Sequence, residues 1–128
     1  MKIKSPQKLV SEALNDIKTI SAKEALEMVN KEECILIDIR DSLELNKNGK
    51  IEKSFHVSRG LLEFSIYPES AYVQNNKLDL NKEIVLFCAA GGRSALGAKT
   101  LKEMGFEKIS HIEGGFSEMS NSGFKVIK

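Results

Sequence analysis

The chain has 128 residues, of which 41% are hydrophobic and 29% charged, with 19 Lys and Arg against 18 Asp and Glu. That length suits a single domain burying roughly two-thirds of its unfolded surface, with no need of a disulfide or metal staple, and a net charge of +1 gives no electrostatic case for nucleic acid or an acidic membrane as partner. Two cysteines with no CxxC and no zinc spacing, an N-terminus without the apolar core of a signal peptide, and no apolar run of membrane-spanning length together predict reduced thiols, no metal and a cytoplasmic protein.

Ser5-Pro6 reads as a helix entry, followed by Leu9, Val10, Ala13, Leu14 and Ile17 at helical spacing. Residues 1–19 are expected to form a helical extension, and residues 20–128 the domain proper. Ser21 and Glu24 have capping-box form, and Ala25, Leu26 and Val29 give the helix behind them an apolar face. Residues 34–38, Cys-Ile-Leu-Ile-Asp, are a short apolar run ending in a charge, which predicts a buried strand. Residues 41–53 are polar and contain the turn signal Asn48-Gly49. Residues 55–57 suit a short strand, and Leu61, Leu62, Phe64 and Ile66 a short helix that stops at Tyr67-Pro68. Residues 69–82 read mostly as loop. Residues 84–87 form a second buried strand that runs straight into Cys88. The helix behind it is expected to open near Ser94, to pack through Ala95, Ala98, Leu101 and Met104, and to end at Gly105. Residues 109–112 are read as the last strand, and Gly114-Gly115 as a turn into a final helix closed by Gly123. Strands alternate with helices throughout, so the expected fold is α/β: a five-stranded, mainly parallel sheet with helices on both faces.

Active sites of such sheets gather where strands end and helices begin. Cys88 stands at that junction. The helix N-terminus and nearby N–H groups favour thiolate over thiol, and the thiolate is the nucleophile. Ala89, Ala90, Gly91 and Gly92 have almost no side-chain bulk, so the loop can turn N–H groups inward as an anion nest, with Arg93 and Ser94 closing it.

Cys-x-x-Gly-x-Arg-Ser after an apolar strand resembles the active-site loop of rhodanese-homology domains. Three further landmarks follow the family order: Leu36-Ile37-Asp38-Ile39-Arg40, the segment from Val57 to Phe64, and Ile112-Glu113-Gly114-Gly115-Phe116. Gly49-Lys50-Ile51 sits where the family often has Gly-His-Ile, Ser58 stands for a common Pro, and Met119 lies where Trp is frequent. The resemblance implies a sulfurtransferase. A thiosulfate, polysulfide or persulfide donor would pass its outer sulfur to Cys88, and a thiol, cyanide or sulfite would take it from the resulting persulfide. Partners would be small sulfur-containing anions and thiol acceptors, a protein thiol among them. No cofactor is implied. Asp38 would support the loop or form a structural ion pair with Arg40, and Arg59 would line the pocket mouth or stand in solvent. Arg93 is expected inward or bracing the loop.

Cys34 reads as a small core hydrophobe, and His56 and His111 as core or edge histidines rather than general bases. Two rivals remain in view. Cysteine phosphatases and arsenate reductases also use a Cys…Arg anion loop, but phosphatase loops are one residue longer than the four residues between Cys88 and Arg93. A non-catalytic binding module on the same fold would be expected to have lost the cysteine.

Overall fold

The structure is a computed structural model that describes all 128 residues. In chain order it contains α1 (Pro6–Leu14), β1 (Lys18–Ile20), α2 (Ala22–Asn30), β2 (Cys34–Asp38), α3 (Ser42–Asn48), β3 (Lys50–Ile51), β4 (Phe55–His56), a 3-10 turn (Arg59–Leu61) leading into α4 (Leu62–Ser65), α5 (Ala71–Asn76), β5 (Glu83–Phe87), α6 (Gly92–Met104), β6 (Ile109–Ile112), α7 (Gly115–Ser120) and β7 (Val126–Ile127). Five strands form an all-parallel sheet in the order β1-β6-β5-β2-β4, and β3 pairs with β7 antiparallel in a separate ribbon.

The sheet is buried on both faces, which is why its central strands are continuously apolar rather than alternating. Side chains still alternate between faces. Ile35, Ile37, Ile84, Leu86 and Cys88 point to one side, where Leu62, Ala98 and Leu101 cover them. Leu36, Val85 and Phe87 point to the other, against Ala22, Ala25, Val29 and Met119 of α2 and α7. Parallel pairing also places every strand's C-terminal end at one sheet edge. Asp38 of β2 lies level with Phe87 of β5, and the residues that follow both strands meet there.

Several local expectations need correction. Residues 41–53 hold a helix, α3, with an Asp41/Glu44 capping box. It buries none of its residues, so no apolar periodicity announced it. Residues 69–82 hold α5, six residues capped by Ser70 with only Val73 buried. The last strand is β7, not residues 109–112. Met104 is 42% exposed; Gly105 reverses the chain, and Phe106 packs on the core instead. Leu9 and Leu14 also stand exposed, because α1 meets α6 along a narrow stripe that includes Val10 and the fully buried Ala13. No helix is long and apolar enough to cross a membrane.

Candidate active site

Cys88 is the first residue beyond β5, and α6 opens at Gly92, two residues earlier than expected. The short connection forces the chain back over the strand end. Gly91 makes the turn with φ +113°, a conformation that L side chains rarely adopt. Gly92 needs no positive φ and serves as the first helical residue. The turn aims two backbone donors at the sulfur: Gly91 N at 3.2 Å and Ser94 N at 3.3 Å. The Ser94 hydroxyl stands 3.5 Å from the same Sγ. Gly92 and Arg93 occupy the first two helical positions, where N–H groups have no carbonyl inside the helix.

The loop is stapled from below by α7. Phe116 N donates to the Cys88 carbonyl at 2.8 Å, and Ser117 N to that of Ala89 at 3.2 Å. A Cβ on Gly115 would lie 2.3 Å from the Cys88 carbonyl oxygen, so only glycine lets α7 start this close. Cys88 itself is 1% exposed. Ala90 is exposed, and Ala89 lines a groove of about 530 Å3 with Phe116, Ser117 and Lys128 among its walls. The sulfur is thus covered by its own loop, with an open groove one residue away.

The charged residues singled out in the sequence divide by what they touch. Arg93 turns away from the nest and closes on Glu44 of α3, with Nη1 and Nη2 donating at 2.6 and 3.0 Å to the two carboxylate oxygens. The hydrogen bond from Arg93 holds the Glu44 carboxyl down to about 2 from an ordinary 4.5. This is the loop-bracing arrangement, made by a partner in a segment read as turn. Asp38 and Arg40, both buried, form a structural ion pair: Arg40 Nε lies 3.0 and 3.1 Å from the two Asp38 oxygens, and Nη2 lies 2.7 Å from one of them. Arg40 also donates to the Gly49 carbonyl at 3.0 Å and stacks 4.0 Å from the Phe116 ring. It therefore supports α7, which in turn holds the Cys88 carbonyl. Arg59 is held by Glu63 at 2.8 Å and Thr100 of α6 at 3.3 Å. Its guanidinium makes no hydrogen bond to the nest residues.

Two partners escaped the sequence reading. Glu44 lay in a stretch without periodicity. The sequence reads His111 as a core or edge histidine, yet its Nδ1 lies 2.9 Å from the Ser94 hydroxyl and its Nε2 lies 3.0 Å from Thr19 Oγ1. The signal was present in the period of two: counting from Ile109, His111 falls on the face that carries Cys88. Cys34 lies at the opposite edge of the sheet, and burial pushes its thiol up to about 11.

A sequence model of the Rhodanese-like domain matches residues 21–122, four-fifths of the chain. The chain belongs to this family. Its relatives include the thiosulfate sulfurtransferase GlpE of Shewanella oneidensis, 27% identical over 104 residues that cover 81% of this chain and 93% of that protein. They also include the tRNA uridine(34) hydroxylase of Ehrlichia chaffeensis, 26% identical over 129 residues and 95% of this chain. This chain spans about half the length of that hydroxylase, 46%. Among solved structures, a Rhodopseudomonas palustris protein described as of unknown function, "Possible Tyrosine Phosphatase", superposes with a TM-score of 0.86 at 35% identity, covering 98% of this chain and 96% of that one. The polysulfide-sulfur transferase homodimer of Wolinella succinogenes gives 0.72 at 34% identity, covering 92% and 83%. Rhodanese-like relatives thus include sulfurtransferases and hydroxylases on one fold.

Proposed function

We propose that this protein is a sulfurtransferase that carries sulfane sulfur on Cys88 as a persulfide. The observation that supports it most is the pair of backbone N–H groups, from Gly91 and Ser94, directed at Sγ. Backbone donors held by a turn and a helix start need no reorganisation when charge arrives, so they stabilise a sulfur anion at little cost. In the first half-reaction the Cys88 thiolate attacks the outer sulfur of the donor. A new S–S bond forms, the donor's own S–S bond breaks, and its electron pair leaves with sulfite or a thiolate. The negative charge then rests on the terminal sulfur, one bond further along the nest. In the second half-reaction an acceptor thiolate or cyanide attacks that terminal sulfur, and the Cys88 thiolate leaves. This two-step exchange implies ping-pong kinetics.

The side chains between Cys88 and Arg93 are uncharged, and Arg93 is closed on Glu44. No cationic side chain in the loop is left to hold the sulfonate oxygens of thiosulfate, which favours a persulfide or polysulfide, whose attacked end carries no such oxygens. The same observation speaks against phosphatase chemistry, the description attached to the Rhodopseudomonas palustris neighbour. An oxyanion of that size wants the loop arginine turned inward, and the ring here is also short. Within residues 1–19, α1 fits an extension docked on α6, whereas Lys18 and Thr19 belong to β1 and so to the sheet itself.

Intact mass after incubation with polysulfide or thiosulfate tests the reading. One added sulfur, lost on treatment with cyanide, is the expected result. A protein that gains no sulfur from either donor, or gains it in the absence of Cys88, overturns it.

A further inference from the structure

His111 is 2% exposed and Cys88 is 1% exposed, while Thr19 on the edge strand β1 is exposed. Between them runs an unbroken chain of polar atoms: Sγ to Ser94 Oγ at 3.5 Å, Oγ to His111 Nδ1 at 2.9 Å, and Nε2 to Thr19 Oγ1 at 3.0 Å. We infer that Ser94, His111 and Thr19 form a proton wire from the buried Cys88 sulfur to solvent, and that His111 is a positioning residue whose tautomer is tied to the ionisation of Cys88. This inference rests on the reading of Cys88 as the working thiol.

Each group along this line carries a fixed number of protons. Ser94 Oγ carries one, and it has three neighbours: Sγ, Nδ1 and the Gly91 carbonyl at 3.3 Å. A neutral imidazole carries one proton on one nitrogen. The Gly91 carbonyl already accepts from Ala95 N at 3.2 Å, and with the Ser94 proton given along the line of side chains two complete arrangements remain. With Cys88 as a thiol, Sγ–H donates to Ser94 Oγ, Ser94 donates to Nδ1, and Nε2–H donates to Thr19. With Cys88 as a thiolate or persulfide anion, every bond reverses: Thr19 donates to Nε2, Nδ1–H donates to Ser94, and Ser94 donates to the sulfur. The second arrangement gives the anion a third donor beside the two backbone N–H groups.

Passage between the two balances. The sulfur proton moves to Ser94 Oγ as the Ser94 proton moves to Nδ1. The Nε2 proton moves to Thr19 Oγ1, and the Thr19 hydroxyl proton leaves to water. One proton leaves the sulfur, one reaches solvent, and the ring stays neutral. Burial lowers the pKa of His111, which opposes an imidazolium and supports the neutral-ring route. The charged groups on the surrounding elements are otherwise engaged or lie outside the chain of contacts. Lys18 of β1 faces Glu83 of β5 at 3.8 Å, Glu12 of α1 holds Lys4 at 2.9 Å, and Arg93 of α6 is on Glu44. Lys102 of α6 donates to the Asp16 carbonyl, and Lys8 of α1, Lys99 and Glu103 of α6 and Glu113 after β6 make no hydrogen bond to the ring; His111's side-chain hydrogen bonds go to Ser94 and Thr19 alone.

The decisive measurement is the 15N signature of the His111 ring across the pH range in which Cys88 ionises, followed in parallel by thiolate absorbance. The expected result is a neutral ring whose proton moves from Nε2 to Nδ1 as the thiolate forms, with no such change in Cys88→Ala. A tautomer unchanged through the transition, or a ring that becomes imidazolium in that step, overturns the inference. Side-chain replacement gives a second reading. His111→Asn keeps an N–H donor near the place of Nδ1 and should alkylate at Cys88 within about threefold of the parent. His111→Leu should be slower by roughly three- to tenfold, the worth of one uncharged hydrogen bond at tenfold per 1.4 kcal/mol. Equal rates for both variants would count against the wire. Should either variant fail to fold, Thr19→Val, at an exposed site, serves instead: it should abolish the tautomer change, and its persistence would refute the outer half of the wire. A Cys88 that loads sulfur without any tautomer change sinks the wire alone. A tautomer change in a protein that never gains sulfur sinks the persulfide reading alone.

Discussion

The two cysteines lie on neighbouring parallel strands at opposite edges of one sheet, and they meet opposite chemistry. Cys34 opens β2, level with Glu83 at the start of β5. Its thiol is half-buried with that carboxylate nearby, and burial pushes it up to about 11. Cys88 follows the end of β5, where the chain turns into α6 and directs N–H groups back at the sulfur. Both residues are thiols beside apolar strands. What separates them is strand direction: in a parallel βα unit the helix N-terminus stands over the C-terminal strand ends, and the opposite edge receives no such donors.

The sharpest way to break this contrast is to exchange the sulfur for oxygen at each site. Cys88→Ser should lose sulfur loading entirely while keeping the fold, because a neutral hydroxyl forms no persulfide. Cys34→Ser should retain most of the activity. With iodoacetamide at neutral pH, mass mapping should find label on Cys88, since a thiol near 11 leaves roughly one Cys34 in ten thousand ionised. Labelling that favours Cys34 would reverse the assignment.

The next test removes the closeness that the Cys88 edge depends on. Gly115→Ala forces a Cβ to 2.3 Å from the Cys88 carbonyl, at φ +53°. Urea unfolding should show a loss of roughly 2–4 kcal/mol, in the range of overpacking and backbone strain combined. A loss under about 1 kcal/mol would mean that α7 does not hold the loop.

A smaller effect is expected from Arg93→Ala. An inward Arg93, one of the two placements the sequence leaves open, would be worth roughly tenfold to a hundredfold in rate as one charge-assisted donor. The Glu44 partnership reduces that expectation to within about tenfold, because the guanidinium braces α3 against the loop from outside the nest. Sulfur-loading rates for Arg93→Ala and Glu44→Gln should then be similar. A far slower Arg93 variant would show that the arginine swings inward during turnover.

The smallest effect concerns stability and pH. Both partners of the Arg93–Glu44 pair keep partial exposure, 38% and 27%, so solvent screening limits Glu44→Gln to about 1 kcal/mol or less. The folded carboxyl is held below its ordinary 4.5, at about 2. The contribution is therefore complete above about pH 4.5 and lost as pH falls towards 2. Chemical denaturation across that window should show the parent losing its advantage over Glu44→Gln as the solution is acidified.

Much of this molecule was legible before any coordinates. The buried runs at 34–38 and 84–87, the alternation of strands and helices, and the Gly-rich stretch between Cys88 and Arg93 point to a parallel sheet with a cysteine in a tight loop at its C-terminal edge. These features are local: burial on both faces demands continuous apolar strands, and a tight turn back over a strand end demands glycine at a positive φ. α3 and α5 were not legible, because short helices that bury one residue or none leave no periodic trace. Nor were the partners. Glu44 and Arg93 stand 49 positions apart, and Thr19 and His111 stand 92 apart. Local pattern records which face a side chain takes, whereas the identity of its neighbour depends on strand order and register. Only the tertiary structure decides that β6 sits between β1 and β5, and with it that a buried thiol, a serine, a histidine and a threonine at the surface form one line.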